Sequence, residues 1–161
     1  MAVAFVPRGS PVVEDADGNE SIAALEIRDS QSSADGWYDD PYTLTREADG
    51  HFYADVALSG MRTRMLVDTG ASVIALTAED AAAAGVIWNP ADIAPIGHGA
   101  SGVVEGVNVV LPEVELGGVT QRDVRAVVIP EGLAISLLGQ SFLSNLGSVN
   151  IANDRMVLGP Q

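Results

Sequence analysis

The sequence predicts an all-β domain with one or two short helices, preceded by a flexible acidic leader. Three observations lead to this prediction. From residue 42 onward, short β-branched and apolar runs alternate with glycine and asparagine turn signals. The 161 residues include 17 glycines and 8 prolines, and 47% of them are hydrophobic, which is enough to bury a core. Residues 11–40 carry nine acidic side chains against a single arginine, Arg28.

The acidic segment has no sustained hydrophobic period. We therefore expect residues 1–41 to form the leader and residues 42–161 to form the folded domain. Residues 15–26 approach the spacing of a twelve-residue calcium-binding loop. Glu20 stands at the sixth position, where the sharp turn of such a loop needs glycine, so we expect no calcium site. We interpret this leader as a solvated tail. A pro-segment and a docking element for a dimer are the alternative interpretations.

The composition argues against several classes of function. The formal net charge is −14 and all eight basic residues are arginine, which argues against binding to nucleic acid or to an anionic membrane surface. The absence of cysteine excludes disulfides, thiolate zinc sites and cysteine nucleophiles. No apolar run reaches the roughly 18 residues of a membrane helix. The first residues lack the basic segment of a secretory signal.

Ten segments have the composition of strands, and in the second of them apolar and polar residues alternate, as in a strand buried on one face. The predicted strands are residues 42–46, 51–58, 62–67, 73–76, 103–111, 114–116, 124–129, 136–138, 149–151 and 155–158. The Ala-Asp-Gly sequence at 48–50 predicts a hairpin between the first two strands, and Asn-Asp at 153–154 predicts one between the last two. Ser59-Gly60 predicts the turn from the second strand into the third. Many short strands of this kind are typical of a closed or nearly closed β domain.

Two short helices are predicted between these strands. Thr77 is a suitable N-cap for a helix over residues 78–84, with Asp80 at the capping-box position and Gly85 as the residue that ends it. A second helix is predicted at residues 140–146, again before a glycine.

The most informative segment is residues 65–74, in which an apolar strand runs into Asp-Thr-Gly and leaves as a second apolar strand. The candidate active-site loop consists of Asp68, Thr69, Gly70, Ala71 and Ser72. A catalytic carboxylate must be partly desolvated and rigidly held. Gly70 permits the tight turn that brings its N–H near the carboxylate, and the apolar flanks anchor the loop. Asp-Thr-Gly also occurs in ordinary turns, but the strands on both sides favour a functional site.

This loop resembles the catalytic loop of the retropepsin-like aspartic peptidases, particularly their bacterial single-lobe branch. Two further features follow in the family's order. The glycine-rich segment 96–103 lies where the family has its flap hairpin, and Leu137-Leu-Gly-Gln-Ser-Phe-Leu143 matches the step into the C-terminal helix. The candidate flap residues are Gly97, His98, Gly99, Ala100, Ser101 and Gly102. Their sequence differs from the Thr-Ala-Asn-Gly common in bacterial members. The resemblance therefore locates the flap tip only to within a few residues. The resemblance covers about residues 42–159.

The resemblance implies a retropepsin-like acid-protease barrel and an aspartic endopeptidase that acts on a polypeptide substrate without a metal or organic cofactor. Asp68 would activate a water molecule, and Thr69 would lock two such loops across a dimer axis. Gly70 and Ala71 would hydrogen-bond the substrate backbone, with subsites that favour apolar side chains. Because bacterial relatives are often exported or membrane-anchored, the resemblance favours the periplasm.

The sequence contains one Asp-Thr-Gly and no Asp-Ser-Gly. Aspartic-protease chemistry needs two carboxylates that share one proton, one acting as a base toward water and the other as an acid toward the scissile carbonyl. A chain with one such aspartate must therefore meet a second copy of itself, with the two Asp68 side chains facing each other across a two-fold axis. The resemblance implies a homodimer as well.

Other functional interpretations of the sequence have weaker support. His51 and His98 lack metal-ligand spacing, so we expect both to be solvated, although His98 could touch substrate in the flap. Ser72 has no histidine at a suggestive spacing, which argues against a serine hydrolase. A non-catalytic peptide-binding or dimerisation module that keeps the retropepsin shape stays open, since the sequence does not exclude an occluded cleft.

Overall fold

The computed structural model describes residues 41–99 and 102–159, which form ten strands and two short α-helices. The strands are β1 (Tyr42–Thr45), β2 (Tyr53–Leu58), β3 (Met61–Val67), β4 (Ile74–Thr77), β5 (Ala94–Gly99), β6 (Gly102–Leu116), β7 (Val119–Ile129), β8 (Leu137–Leu138), β9 (Ser148–Ala152) and β10 (Arg155–Gly159). The helices are α1 (Ala78–Ala83) and α2 (Gln140–Leu143), and Pro90–Asp92 forms a 3₁₀ turn. The predicted all-β class with short helices is confirmed. Residues 1–40 lie outside the described residues, so the leader and its boundary stay predictions.

Seven strands form one sheet in the order β2-β3-β8-β4-β7-β6-β5. A further pairing joins β2 to β6, where Ala57 lies opposite Glu115 and Leu58 opposite Val114, so the sheet closes on itself. The remaining strands form a three-stranded sheet in the order β1-β10-β9. Closure leaves β5 as an edge strand of the large sheet, and β1 and β9 as the edges of the small one.

The core follows from the alternation of side chains along the strands. In β2 and the residue before it, Phe52, Ala54, Val56 and Leu58 are all at most 4% exposed, as the alternating pattern predicts. The same core includes side chains of β3, β4, β6, β7, β8, α2 and β10. The largest buried side chain is Phe142 of α2, which anchors this short helix to the barrel.

Three hairpins have two-residue turns in which both residues have positive φ: Ser59-Gly60, Gly117-Gly118 and Asn153-Asp154. Such turns match the right-handed twist of the flanking strands, and they favour glycine, asparagine and aspartate. They fix the registers of β2 with β3, β6 with β7, and β9 with β10. The predicted turns at 59–60 and 153–154 are confirmed.

The predicted cap of α1 is also present. Thr77 Oγ1 accepts a hydrogen bond from the Asp80 N–H at 3.1 Å. At the other end, Gly85 adopts φ +70° and the Val86 N–H donates to the Ala81 carbonyl at 2.8 Å, which is a Schellman ending. The Asp80 side chain does not complete the predicted capping box directly, because a buried hydroxyl from another segment lies between its carboxylate and the Thr77 N–H.

That hydroxyl belongs to Ser136, which is fully buried just before β8. Its Oγ accepts the Thr77 N–H at 3.0 Å and donates to Asp80 Oδ2. Ser136 therefore connects the start of α1 to the strand that lies beside the candidate active-site loop.

Four sequence predictions about individual elements are wrong. The strand at 42–46 does not form a hairpin with 51–58, because β1 pairs with β10 and leaves the large sheet. The turn between them does form, and the Glu47 N–H donates to the His51 carbonyl at 2.8 Å. The break predicted at residues 112–113 is absent, since β6 runs through Pro112 opposite Asp123, which adopts φ +53°.

The other two errors concern element ends. The seventh predicted strand, 124–129, begins earlier in the structure, at Val119, because the Gly117-Gly118 turn starts β7 directly after β6. The helix predicted at 140–146 ends at Leu143, and tighter i→i+3 turns continue to Leu146.

Candidate active site

The candidate active-site loop lies between the end of β3 and the start of β4. Strand β3 runs parallel to β8, with Leu66 opposite Leu137 and Val67 opposite Leu138. The Asp68 N–H continues this ladder and donates to the Leu138 carbonyl at 3.0 Å. Asp68 is half-buried, whereas the two residues after it are exposed. A carboxylate is thus presented at the carboxyl end of a core strand, with its main chain fixed by the neighbouring strand.

The loop itself holds the carboxylate in a defined orientation. The Gly70 N–H donates to Asp68 Oδ1 at 2.8 Å, and the Ala71 N–H donates to the Asp68 carbonyl at 3.3 Å. A Cβ atom at Gly70 would lie 3.2 Å from Asp68 Oδ1, which is a tight contact. The expected role of this glycine, a close approach of its N–H to the carboxylate, is present in the geometry.

A second segment braces this loop from the side. The Gln140 N–H donates to the Ala71 carbonyl at 2.8 Å, and Gln140 Nε2 donates to the Thr69 carbonyl at 2.9 Å. Ser141 Oγ accepts the Ile74 N–H at 2.9 Å. Gly139 packs so closely that a Cβ atom there would lie 2.2 Å from the Val73 carbonyl oxygen.

The motif at residues 137–143 therefore has a specific physical role, which is to hold the loop that carries Asp68. Sequence reasoning identified the motif but not the hydrogen bonds of Gln140 and Ser141. The local sequence gives one indication of these hydrogen bonds. Gln140 and Ser141 are polar residues that directly follow the glycine, at the start of a helix whose other two residues are apolar.

The predicted flap segment lies on the hairpin formed by β5 and β6. Gly97 lies opposite Val104, His98 opposite Val103 and Gly99 opposite Gly102, so the hairpin turns between residues 99 and 102. Ala100 and Ser101 lie outside the described residues. His98 is exposed. The hairpin has the position in the chain that the resemblance implies, and its action as a flap stays a prediction.

A cavity of about 550 Å³ lies between this hairpin and the segment that follows β7. Its apolar lining comes from Val103, Val104, Ile129, Pro130, Leu133 and Leu137. Glu105 and Glu131 also line it. Since Leu137 pairs with Leu66, two residues before Asp68, the cavity borders the strand that ends in the candidate loop. It can accept a side chain near the strand that ends in the candidate loop, with both apolar groups and carboxylates in its lining.

The remaining sequence candidates lie apart from this arrangement. His51 is exposed, and its Nδ1 lies 3.5 Å from Asp49 Oδ1. The Tyr53 hydroxyl donates to Asp49 and lowers the pKa of that carboxyl. Within residues 41–99 and 102–159, no group of three or more histidine, aspartate or glutamate side chains could hold a metal ion. The calcium-loop spacing at 15–26 lies outside the described residues.

Ser72, the last residue of the candidate loop, is exposed and lines a separate polar cavity of about 370 Å³. Gln140, Arg122 and Arg125 line the same cavity. In the part of the chain that the structure describes, no helix is long and apolar enough to cross a membrane.

Comparison with known proteins identifies the family. Residues 54–145 match the family model described as "gag-polyprotein putative aspartyl protease", and this match runs from the second residue of β2 through α2 and includes the whole candidate loop. The chain belongs to this aspartyl protease family. Its loop, its hairpin and its α2 brace therefore occur in a retropepsin-like framework, and the recognition made from the sequence is confirmed.

Two curated relatives of this chain are themselves uncharacterised. One is a protein in the cobV 5′ region of a Sinorhizobium species, 36% identical over 144 residues, or 88% of this chain and 61% of that protein. The other is RP867 of Rickettsia prowazekii, 33% identical over 115 residues, or 71% of this chain and 49% of that protein. The chain thus spans between about half and three-fifths of the length of these relatives.

Solved structures confirm the fold. A retropepsin-like aspartic protease from Rickettsia conorii is 30% identical, with a TM-score of 0.61 over 73% of this chain and 88% of that one. EIAV protease complexed with the inhibitor HBY-793 gives a TM-score of 0.52 at 19% identity, over 68% of this chain and all of that one. This similarity supports the fold and nothing further.

Proposed function

We propose that this chain is an aspartic endopeptidase that works as a homodimer, with Asp68 of each copy forming the catalytic pair. The observation that carries the proposal is the braced Asp-Thr-Gly loop at the end of β3. Its carboxylate is half-buried and oriented by the Gly70 N–H, and its main chain is hydrogen-bonded to Leu138 and Gln140. A loop held this tightly restricts a carboxylate to one position, which catalysis by positioned acid and base groups requires.

The chemistry sets the number of chains. One carboxylate must take a proton from water while another gives a proton to the carbonyl oxygen of the scissile bond. The sequence supplies a single Asp-Thr-Gly, so a two-fold axis must bring a second one to the same site. Thr69 is exposed beside Asp68 and could meet the Thr69 of the partner subunit across this axis. Water attacks directly, so no covalent intermediate forms.

The substrate is an extended peptide. The β5–β6 hairpin would close over it as a flap, with Gly97, His98, Gly99 and Gly102 next to the peptide backbone. On the opposite side, Gly70 and Ala71 would line the floor of the cleft. The Gly70 carbonyl would accept a hydrogen bond from the substrate main chain, since the Gly70 N–H and both main-chain groups of Ala71 already bond within the chain. The cavity of about 550 Å³ beside β8 would take a side chain of the peptide near the scissile bond, and its apolar lining residues, such as Val104 and Leu137, favour an apolar one.

The experiment that tests this function is digestion of a peptide library by the purified chain, with cleavage sites mapped by mass spectrometry at mildly acidic and neutral pH. The matched control is Asp68→Asn, because the amide fills nearly the same volume but cannot accept the proton of the water. We expect cleavage by wild type and none by the variant. Equal cleavage by both would exclude Asp68 as the catalytic group. A folded, dimeric wild type that cleaves nothing would favour the non-catalytic peptide-binding module.

A further inference from the structure

The polar cavity that Ser72 lines is formed by two segments of the domain. One side consists of residues 121–125 of β7, and the other consists of residues of α2 and of the segment after it, up to Asn145. Val124 is the one apolar residue in the lining, and its side chain is buried in the core. The wall of this cavity is therefore made of polar and charged groups.

Arg125 of β7 faces this cavity, and the pairing of its strand explains why. Val124 and Ala126 are 4% and 2% exposed, so they face the core, and alternation directs Arg125 to the other side of the sheet. On one side of β7, Arg125 lies opposite Val110 of β6. On the other, Ala126 lies opposite Ile74 at the start of β4, so Arg125 lies beside the chain that leaves the candidate loop. A cation is thus placed next to the end of that loop.

Arg125 lacks the ionic partner that other arginines of the domain have. Arg46 pairs with Asp154, and Arg64 pairs with Glu47. With any other residue that the structure describes, the Arg125 side chain forms neither a hydrogen bond nor an ion pair. The N–H donors of its guanidinium group are therefore available to a ligand of the cavity.

Arg122 adds a second cation to the lining. Its Nη2 donates to Glu113 Oε2 at 3.0 Å, but the Arg122 side chain is 75% exposed, so solvent screens this ion pair and leaves it weak. Asp123 is the one carboxylate among the lining residues. The lining thus carries two guanidinium groups and one carboxylate, in a chain whose net charge is −14.

Several of the other polar side chains in the lining hydrogen-bond each other or the main chain, which gives the cavity a fixed shape. Gln121 Nε2 donates to the Phe142 carbonyl at 3.0 Å, and Asn145 Nδ2 donates to Gln121 Oε1 at 3.0 Å. Ser144 Oγ donates to the Gln140 carbonyl at 2.6 Å. Because these contacts lie within the domain, the cavity is formed before a ligand binds. The arginines are the groups of this wall that attract a charged ligand, and the ligand they attract is an anion.

The cavity of about 550 Å³ beside β8 has the opposite charge. Glu105 and Glu131 line it, and its lining contains no basic residue. An acidic side chain of a peptide is therefore repelled from that cavity and attracted to the polar one. Ser72 of the candidate loop lines the polar cavity, and Leu137, which pairs with β3, lines the other. Both cavities thus border the candidate site.

We propose that the polar cavity is a subsite for an acidic side chain of the polypeptide substrate, with Arg125 as the residue that binds its carboxylate. A guanidinium group is planar and forms two parallel hydrogen bonds with a carboxylate, which selects aspartate and glutamate over their amides. Arg122 strengthens the attraction. The inference rests on the proposed function, and it narrows the substrate to polypeptides with an acidic residue near the scissile bond.

Cleavage of matched peptides tests this subsite. A peptide that the wild type cleaves is remade with glutamate and with glutamine at each position in turn, and kcat/KM is measured for each pair. We expect glutamate to exceed glutamine about fivefold at one position. Arg125→Gln should bring this ratio close to one, and Arg125→Glu should instead favour lysine at that position.

Arg62→Gln is the matched control, because Arg62 is an exposed arginine of β3 that does not line the cavity. It should keep the wild-type ratio. A ratio close to one at every position in the wild type, or an unchanged ratio in Arg125→Gln, would overturn the proposal.

Binding to inactive chains tests the subsite without cleavage. A random peptide library is incubated with Asp68→Asn and with the double variant Asp68→Asn/Arg125→Gln, and the retained peptides are identified by mass spectrometry. We expect acidic residues to be enriched about fivefold in the first pool relative to the second. Equal acidic content in the two pools would contradict the role of Arg125.

A free carboxylate anion is the other source of the same chemistry, and an NMR titration with glutarate distinguishes it. Glutarate that shifts the Arg125 signals of a wild type without any preference for glutamate peptides would show an anion site separate from substrate binding, which overturns the proposed subsite. Acidic peptides retained through Arg125 by a chain whose wild type cleaves nothing would support the subsite and contradict the peptidase. Cleavage without a preference for glutamate would contradict the subsite and leave the peptidase intact.

Discussion

Replacing Gly139 with alanine probes how closely the α2 segment packs against the candidate active-site loop. The backbone of Gly139, with φ −105° and ψ −171°, is open to any residue, so the effect of the change is steric. A Cβ atom there would lie 2.2 Å from the Val73 carbonyl oxygen and 2.8 Å from that of Ala71. Both atoms belong to the main chain of the loop region. The loop must therefore move by roughly 1 Å to restore an ordinary contact distance.

The magnitude follows from this displacement. Overpacking a well-filled interior costs about 1–3 kcal/mol, and contacts with main-chain atoms place Gly139→Ala at the upper end, near 3 kcal/mol. For a domain of this size that corresponds to a fall of roughly 10 °C in melting temperature. A shift of about 1 Å in a catalytic loop reduces kcat/KM about 100-fold. The variant should therefore lose both stability and activity, with the loss of activity persisting well below its melting temperature.

Thermal unfolding by circular dichroism measures the first effect, and cleavage of a fluorogenic peptide measures the second. Gly97→Ala is the control for stability, because no heavy atom lies within 4 Å of the position of its added methyl group. We expect the melting temperature of Gly97→Ala to stay near that of wild type. A wild-type melting temperature and wild-type kcat/KM in Gly139→Ala would refute the argument that this glycine fixes the loop.

Three further predictions concern the fold boundary, a buried hydroxyl and pH. Ser136→Ala should destabilise the domain by about 1–3 kcal/mol in urea unfolding, because the Thr77 N–H and the Asp80 carboxylate lose their shared partner; an unchanged free energy of unfolding would contradict the role of this hydroxyl. Removing residues 1–40 should leave a folded, dimeric core by circular dichroism and sedimentation, whereas an insoluble or monomeric product would show that the boundary is wrong. Peptidase activity should be highest at mildly acidic pH and fall at alkaline pH, since the working pair holds one shared proton that rising pH removes; full turnover at alkaline pH by folded protein would exclude that mechanism.

Features set by neighbouring residues could be predicted from the sequence. The turns at 59–60 and 153–154 contain residues that tolerate positive φ, and Thr77 caps α1 because its hydroxyl is three residues from the N–H it accepts. The alternation in β2 requires no knowledge of the partner strand. The position of Asp68 between two apolar strands is local in the same sense, and the comparisons confirmed that this loop lies in a retropepsin-like domain.

Features that depend on distant segments could not be predicted in this way. Strand β1 has a turn signal after it, yet it pairs with β10, more than 100 residues further along the chain. The predicted strands stop on either side of Pro112, but in the structure β6 runs through this proline, and Asp123 of the paired strand adopts φ +53° there. The hydrogen bond from Gln140 to Thr69 spans 71 residues, and no local pattern indicates it.

The most direct test of the central claim is a mixing experiment with wild-type chains and an excess of Asp68→Asn chains. Subunit exchange is followed separately, by fluorescence transfer between differently labelled chains. If each active site takes one Asp68 from each copy, mixed dimers carry one carboxylate and one amide, and activity per wild-type chain must fall as the excess of Asp68→Asn grows. Constant activity per wild-type chain, with exchange demonstrated, would mean that one chain suffices and would contradict the shared pair.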